Sequence, residues 1–123
     1  MKVQIFIPCF VDQLYPQTAF NMVKVLEKAG CEVFYNTNQT CCGQPAFNAG
    51  FLDETRSVCN KFIQDFDNAD YVVAPSASCV GFIRNYYSKL FGLLKQHSQL
   101  AFFYPKFFNF SFFLLLNIIC KNF

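Results

Sequence analysis

The sequence predicts an α/β fold: a small parallel β-sheet with flanking helices, in the order β-α-β-α-β-α. Two observations carry this. Short apolar runs rich in β-branched residues alternate with longer segments of helical period. Turn and cap residues fall at the joints between them, and alternation of this kind implies a parallel sheet covered by helices.

The elements follow in order. "KVQIFIPC" (2–9) reads as the first strand, ended by Cys9. "YPQTAFNMVKVLEKAG" (15–30) reads as a helix, with Ala19, Met22, Val23 and Leu26 on one face. Pro16 suits its first turn and Gly30 sits where a C-terminal cap belongs. "CEVFYN" (31–36) is the second strand. Residues 51–68 form the second helix, with a stripe of Val58, Cys59, Phe62, Ile63 and Phe66. "DYVVAPS" (70–76) is a buried strand, and "SCVGFIRNYYSKLFG" (78–92) is the third helix, with Ser78 available as its cap.

Composition narrows the function classes. The chain has 123 residues, 54% hydrophobic and 15% charged, which fits one domain and excludes a disordered chain. A net charge of +2 with no basic run argues against nucleic acid or an anionic membrane surface as partner. The opening "MKVQIFIPCF" has no signal-peptide pattern, so the cytoplasm is the expected compartment. Seven cysteines there favour metal binding or thiol chemistry over a disulfide framework.

The text changes character after residue 92. Residues 101–123 hold eight of the eighteen phenylalanines and two charges, both Lys. A transmembrane helix is one reading, but the charge-free run 107–120 is short of the ~20 residues a bilayer needs. A strongly buried terminal element is a second. We read 93–123 in a third way, as a non-native tail from a frameshift or truncation near 93–101, because a shifted frame through AT-rich DNA yields this composition. The expected domain is therefore 1–92.

The cysteines are placed by this topology. Cys9 ends the first strand, Cys41 and Cys42 lie in the loop after the second, and Cys79 follows the third, in the first turn of its helix. The carboxyl ends of parallel strands share one edge, where ligands bind. Three loops thus deliver four thiols to one edge, which incidental cysteines would seldom do. The helix dipole favours the thiolate of Cys79. Gly43 lets backbone approach a bulky group, and Pro8 and Pro45 stiffen two loops. Four soft thiolates suit an iron–sulfur cluster or zinc. Adjacent cysteines are less natural for a tetrahedral zinc ion than for a cluster of separate irons. A third possibility is thiol–disulfide exchange with Cys41 and Cys42 as the redox pair. Cys31 and Cys59 read as small buried hydrophobes, and Cys120 receives no role. His97 reads as a surface residue. Asp12, Asn48 and Arg84 lie near the motif loops and have ordinary local explanations, Asp12 as a cap of the first helix. "GQPAFNAG" lacks the spacing of a phosphate-binding loop.

Cys9, thirty-one residues, Cys41-Cys42, thirty-three residues that begin with Gly43, and then Ser76-Ala77-Ser78-Cys79 make a specific pattern. It resembles the cysteine-rich CCG domain of heterodisulfide reductase-related proteins, in which an adjacent pair stands between a lone cysteine and a closing C-x2-C. Ser76 stands where the first cysteine of that closing pair belongs, so the match is four sulfurs from five. "PCFVDQLYPQ", "CCGQPAFNAG", "APSASC" and "RNYYSKLF" are similar to the lactate-utilisation branch, and the likeness covers residues 3–91. The resemblance implies one CCG half-unit, the first of the two repeats usual in the family. It implies an iron–sulfur cluster, of 4Fe-4S type, held by Cys9, Cys41, Cys42 and Cys79, with Ser76 a weaker oxygen donor and Gly43 giving backbone approach. It also implies an electron-transfer component, not a stand-alone enzyme. Its expected partners are the other iron–sulfur subunits of a complex that oxidises L-lactate to pyruvate.

Overall fold

The structure is a computed structural model that describes residues 1–91 and 106–121. It contains β1 (Lys2–Ile5), α1 (Cys9–Leu14), α2 (Pro16–Lys28), β2 (Glu32–Tyr35), α3 (Gln44–Asn48), α4 (Leu52–Phe66), β3 (Val72–Ala74), α5 (Ala77–Phe91), β4 (Phe107–Asn109) and α6 (Phe110–Lys121). The four strands form one sheet in the order β2-β1-β3-β4. Every pairing is parallel, with Val3 opposite Val33, Gln4 opposite Val72 and Val72 opposite Phe107. The expected α/β class and parallel sheet are both present.

Strand alternation builds two apolar layers. Val3, Ile5, Ile7 and Val73 face one side and pack with Val11, Met22, Leu26 and Phe113. Phe6, Val72, Ala74 and Phe107 face the other and pack with Cys59, Phe62, Phe66, Ile83 and Tyr87. The period of two thus splits the central run β1, β3 and β4 between the helices α1, α2 and α6 on one face and α4 and α5 on the other. Pro16 stands at the start of α2, where its missing N–H costs nothing. Gly30 follows the helix with φ of 88°, the left-handed conformation that ends it.

Several boundaries differ from the sequence expectation. β1 stops at Ile5, and Cys9 opens α1 instead of ending the strand. Phe6 and Ile7 stay buried beyond the last β2 pairing, which is why the apolar run reads longer than the ladder. α1 and α3 were not expected. Asp12 lies inside α1, where Gln13 Nε2 donates to its carboxylate at 3.0 Å, so it caps nothing. Ser76 sits just before α5 and its Oγ accepts the Cys79 N–H at 3.4 Å. The cap is therefore Ser76 and not Ser78. On α4, Thr55 is fully buried and Val58 only half-buried, which rotates the stripe slightly.

Part of the phenylalanine-rich tail completes the sheet. Phe107 and Phe113 are buried, and the Phe107 carbonyl accepts a hydrogen bond from Arg84 Nη1 at 3.2 Å. Asn109 Oδ1 accepts the Ser111 N–H at 3.1 Å at the start of α6. Among the described residues, no helix is long and apolar enough to cross a membrane. His97 lies outside the described residues, as does the side chain of Cys120.

Candidate functional site

The strand order fixes where a ligand would sit. The chain passes from β1 outward to β2, then returns across β1 to β3. The connections from β1 and β3 therefore leave in opposite directions and open a crevice at the carboxyl edge of the sheet. Pro8 and Cys9 leave β1 at that crevice, and Ser76 and Cys79 leave β3 there. The loop after β2 crosses over to bring Cys41 and Cys42 between them. Together these residues line one cavity of about 260 Å³. Phe10, Gln44, Pro45 and Ser78 complete its wall.

The four sulfurs grade from surface to interior. Cys9 is exposed, Cys41 and Cys79 are half-buried and Cys42 is buried. The Cys9 and Cys41 sulfurs approach to 4.0 Å. Cys41 Sγ also accepts the Gly43 N–H at 3.4 Å. Cys42 stands within hydrogen-bonding reach of both Cys41 and Cys79 and serves as donor to each. That role pushes the Cys42 thiol far up, since losing its proton would break both bonds. The bond received from Cys42, aided by the Gly43 N–H, outweighs burial at Cys41 and brings it down to about 5. Cys79 falls to about 7, again through the bond from Cys42 and then that from Ser76. Burial and the neighbouring Cys41 push Cys9 up. Two of the four sulfurs are thus poised as thiolates near neutrality, the form a metal requires.

The loops are held from beneath. Gln39 Oε1 accepts the Ile7 N–H at 2.8 Å, and its Nε2 donates to the Ile5 and Asn36 carbonyls at 3.1 and 2.9 Å. One side chain thereby pins the segment leading to Cys9 against the loop leading to Cys41. Gly43 has φ of 92°, and a Cβ there would meet Thr55 Cγ2 at 3.5 Å and Cys59 Sγ at 3.6 Å. The turn lies directly on α4. Ser78 Oγ donates to Gln44 Oε1 at 3.0 Å across the cavity wall.

Sequence reasoning named the four thiols, Ser76 and Gly43, and the structure brings all six to this edge. It did not find Gln39, Gln44 or Tyr87, whose hydroxyl reaches the Cys42 carbonyl; an amide or phenol between apolar runs carries no spacing signal. Cys31 and Cys59 are buried as expected, but Cys59 lies under the cysteine turn and not in neutral core. Burial pushes the Cys59 thiol up to about 11, so it stays protonated. Asn48 is exposed at the end of α3, and Gly50 beyond it has φ of 86°.

The family model described as a cysteine-rich domain, CCG, matches residues 3–84. The chain belongs to the CCG family. Its CCG domain is 46% identical over 88 residues to lactate utilization protein A 1 of Bacillus mycoides, covering 72% of this chain and 36% of that protein. It is 45% identical over 86 residues to lactate utilization protein A of Oceanobacillus iheyensis, covering 70% and 35%. Against lactate utilization protein A 2 of Bacillus cereus AH820 the identity is 36% over 91 residues, covering 74% and 38%. The CCG chain spans about a third of the length of the curated relatives it matches. No solved structure matches it.

The donor set of this CCG domain fits a thiophilic metal group. It is all sulfur, and it surrounds one cavity. Among the described residues, no group of three or more His, Cys, Asp or Glu side chains is spaced to hold a metal ion.

Proposed function

We propose that this chain binds an iron–sulfur cluster of 4Fe-4S type through Cys9, Cys41, Cys42 and Cys79, and passes electrons as a component of a cytoplasmic system that oxidises L-lactate to pyruvate. The observation that carries it is the meeting of four thiols from three loops around one cavity at the β1/β3 crevice. The lactate assignment rests on the names of the relatives, and the partners are the other iron–sulfur subunits of that system. The chain would be a component and not a stand-alone enzyme.

A bound cluster supplies a one-electron store. The protein's part is to hold and shield it. Cys41 and Cys79 offer thiolates, while Cys42 gives up its proton on ligation and anchors the buried side. Phe10 and Pro45 cover the cavity, limiting water and so tuning the potential. Ser76 spends its oxygen on the Cys79 N–H, so it orients a ligand more than it acts as one.

Anaerobic reconstitution with iron and sulfide tests the reading. The expected product is brown, with broad visible absorbance that Cys42→Ser abolishes. A colourless protein carrying one stoichiometric zinc would replace it with zinc binding. Thiol–disulfide exchange has one contact in its favour, Cys9 to Cys41 at 4.0 Å, instead of the adjacent pair. A redox-active dithiol with no bound metal would support that second reading.

A further inference from the structure

We infer that Tyr87, with Cys59 beside it, is a positioning residue for the cysteine site: it grips the Cys42 carbonyl from behind and keeps the Cys42 sulfur aimed into the cavity. The inference rests on the reading of that cavity as the cluster site, but its first test does not require a cluster.

Tyr87 lies on α5 two turns after Cys79, so one helix carries both a ligand and this support. Its side chain is fully buried. The hydroxyl donates to the Cys42 carbonyl at 2.6 Å across forty-five residues of sequence. Rings of Phe62 and Phe82 meet the Tyr87 ring edge-on, at 88° and 87°, and set the direction in which the hydroxyl points. The Cys59 thiol donates to the same carbonyl at 4.0 Å, so both of its lone pairs are addressed. A phenylalanine would fill this space equally well. The buried hydroxyl is tolerated because it makes this bond. The carbonyl it holds belongs to the residue between Cys41 and Gly43, the pivot of the turn. Neither Tyr87 nor Cys59 lines the cavity, so each acts only through the backbone of a ligand.

The test is site-resolved alkylation of the metal-free full chain with N-ethylmaleimide, read by mass spectrometry. In Tyr87→Phe, Cys42 is expected to react about tenfold faster, the effect of losing one buried hydrogen bond. Cys31, buried in the opposite layer, should keep its wild-type rate. An unchanged Cys42 rate overturns the inference. So does a parallel rise at Cys31, which would mean general loosening. Cys59→Ala removes the weaker contact, keeps Tyr87 and should give a smaller acceleration at Cys42; none would count against the paired grip. In chains reconstituted with iron and sulfide, Tyr87→Phe should lose its visible absorbance to a chelator roughly 10–100-fold faster, with far-ultraviolet circular dichroism unchanged. If wild-type chain takes up no cluster, the proposed function fails, while the alkylation result still decides the role of Tyr87.

Discussion

Phe107→Ala asks whether the end of the chain belongs to the same folding unit as the cysteine layer. The Phe107 ring is fully buried, 5.7 Å from Phe62 at 73° and 6.4 Å from Phe6. Truncating a buried phenylalanine costs about 3–5 kcal/mol, from lost transfer energy and the void left behind. That is a large share of the ~5–15 kcal/mol a domain usually has. Urea unfolding of the full chain measures it. With a slope of roughly 2 kcal/mol per molar, the midpoint should fall by about 2 M. Phe112→Ala is the control, because that ring is 49% exposed and, among the described residues, stacks on Phe108 at 6.3 Å. It should cost under about 1 kcal/mol. If Phe107→Ala also loses less than about 1 kcal/mol, β4 is not part of the cooperative unit. The segment ahead of residue 93 would then stand alone, as the 1–92 boundary drawn from sequence expects.

Glycine substitutions should diverge in sign. Gly43→Ala forces a side chain into φ of 92° and should lose ~1–2 kcal/mol in thermal or urea unfolding, although the space around it is ordinary. Gly81→Ala, inside α5 with nothing within 4 Å of the new methyl, should gain ~0.5–1 kcal/mol. A loss at Gly81 would contradict the helix assignment. The metal-free chain should also show a definite pH profile. Cys41 and Cys79 titrate at about 5 and 7 in the folded state, against an ordinary value of 9.0. Between those values the unfolded chain binds more protons, so stability climbs with pH up to 9.0. Cys42 has the opposite sign: the folded chain keeps a proton that the unfolded chain loses above 9.0, so stability drops beyond it. Urea midpoints at a series of pH values should peak near 9.0, and a flat profile would refute the thiol network.

The longer elements were legible because their periods are long enough to see. The Ala19–Leu26 stripe of α2 and the Cys59–Phe66 stripe of α4 each run over about two turns. α1 has six residues and α3 five, too few for a period to emerge. Pro16 hid the first of these, since Tyr15 before it is held out of the helical region at φ −134° and makes two helices from one apolar stretch. β4 has only three residues within continuous phenylalanine text, where no alternation marks a strand. At the site, thiol spacing and the parallel topology were enough to gather Cys9, Cys41, Cys42 and Cys79. The supports were not, because Gln39 and Tyr87 act through backbone atoms of residues far away in sequence, and that pairing exists only once the chain has folded.

The cavity also closes the chain on itself. Cys9 and Cys79 lie seventy positions apart, with Cys41 and Cys42 midway. A guest bonded to all of them would act as a removable clasp across two large loops. It would deprive the unfolded ensemble of its freedom, much as a cross-link does. Loading and folding would then be a single coupled equilibrium, so a cell short of the guest would lose the protein as well as its activity.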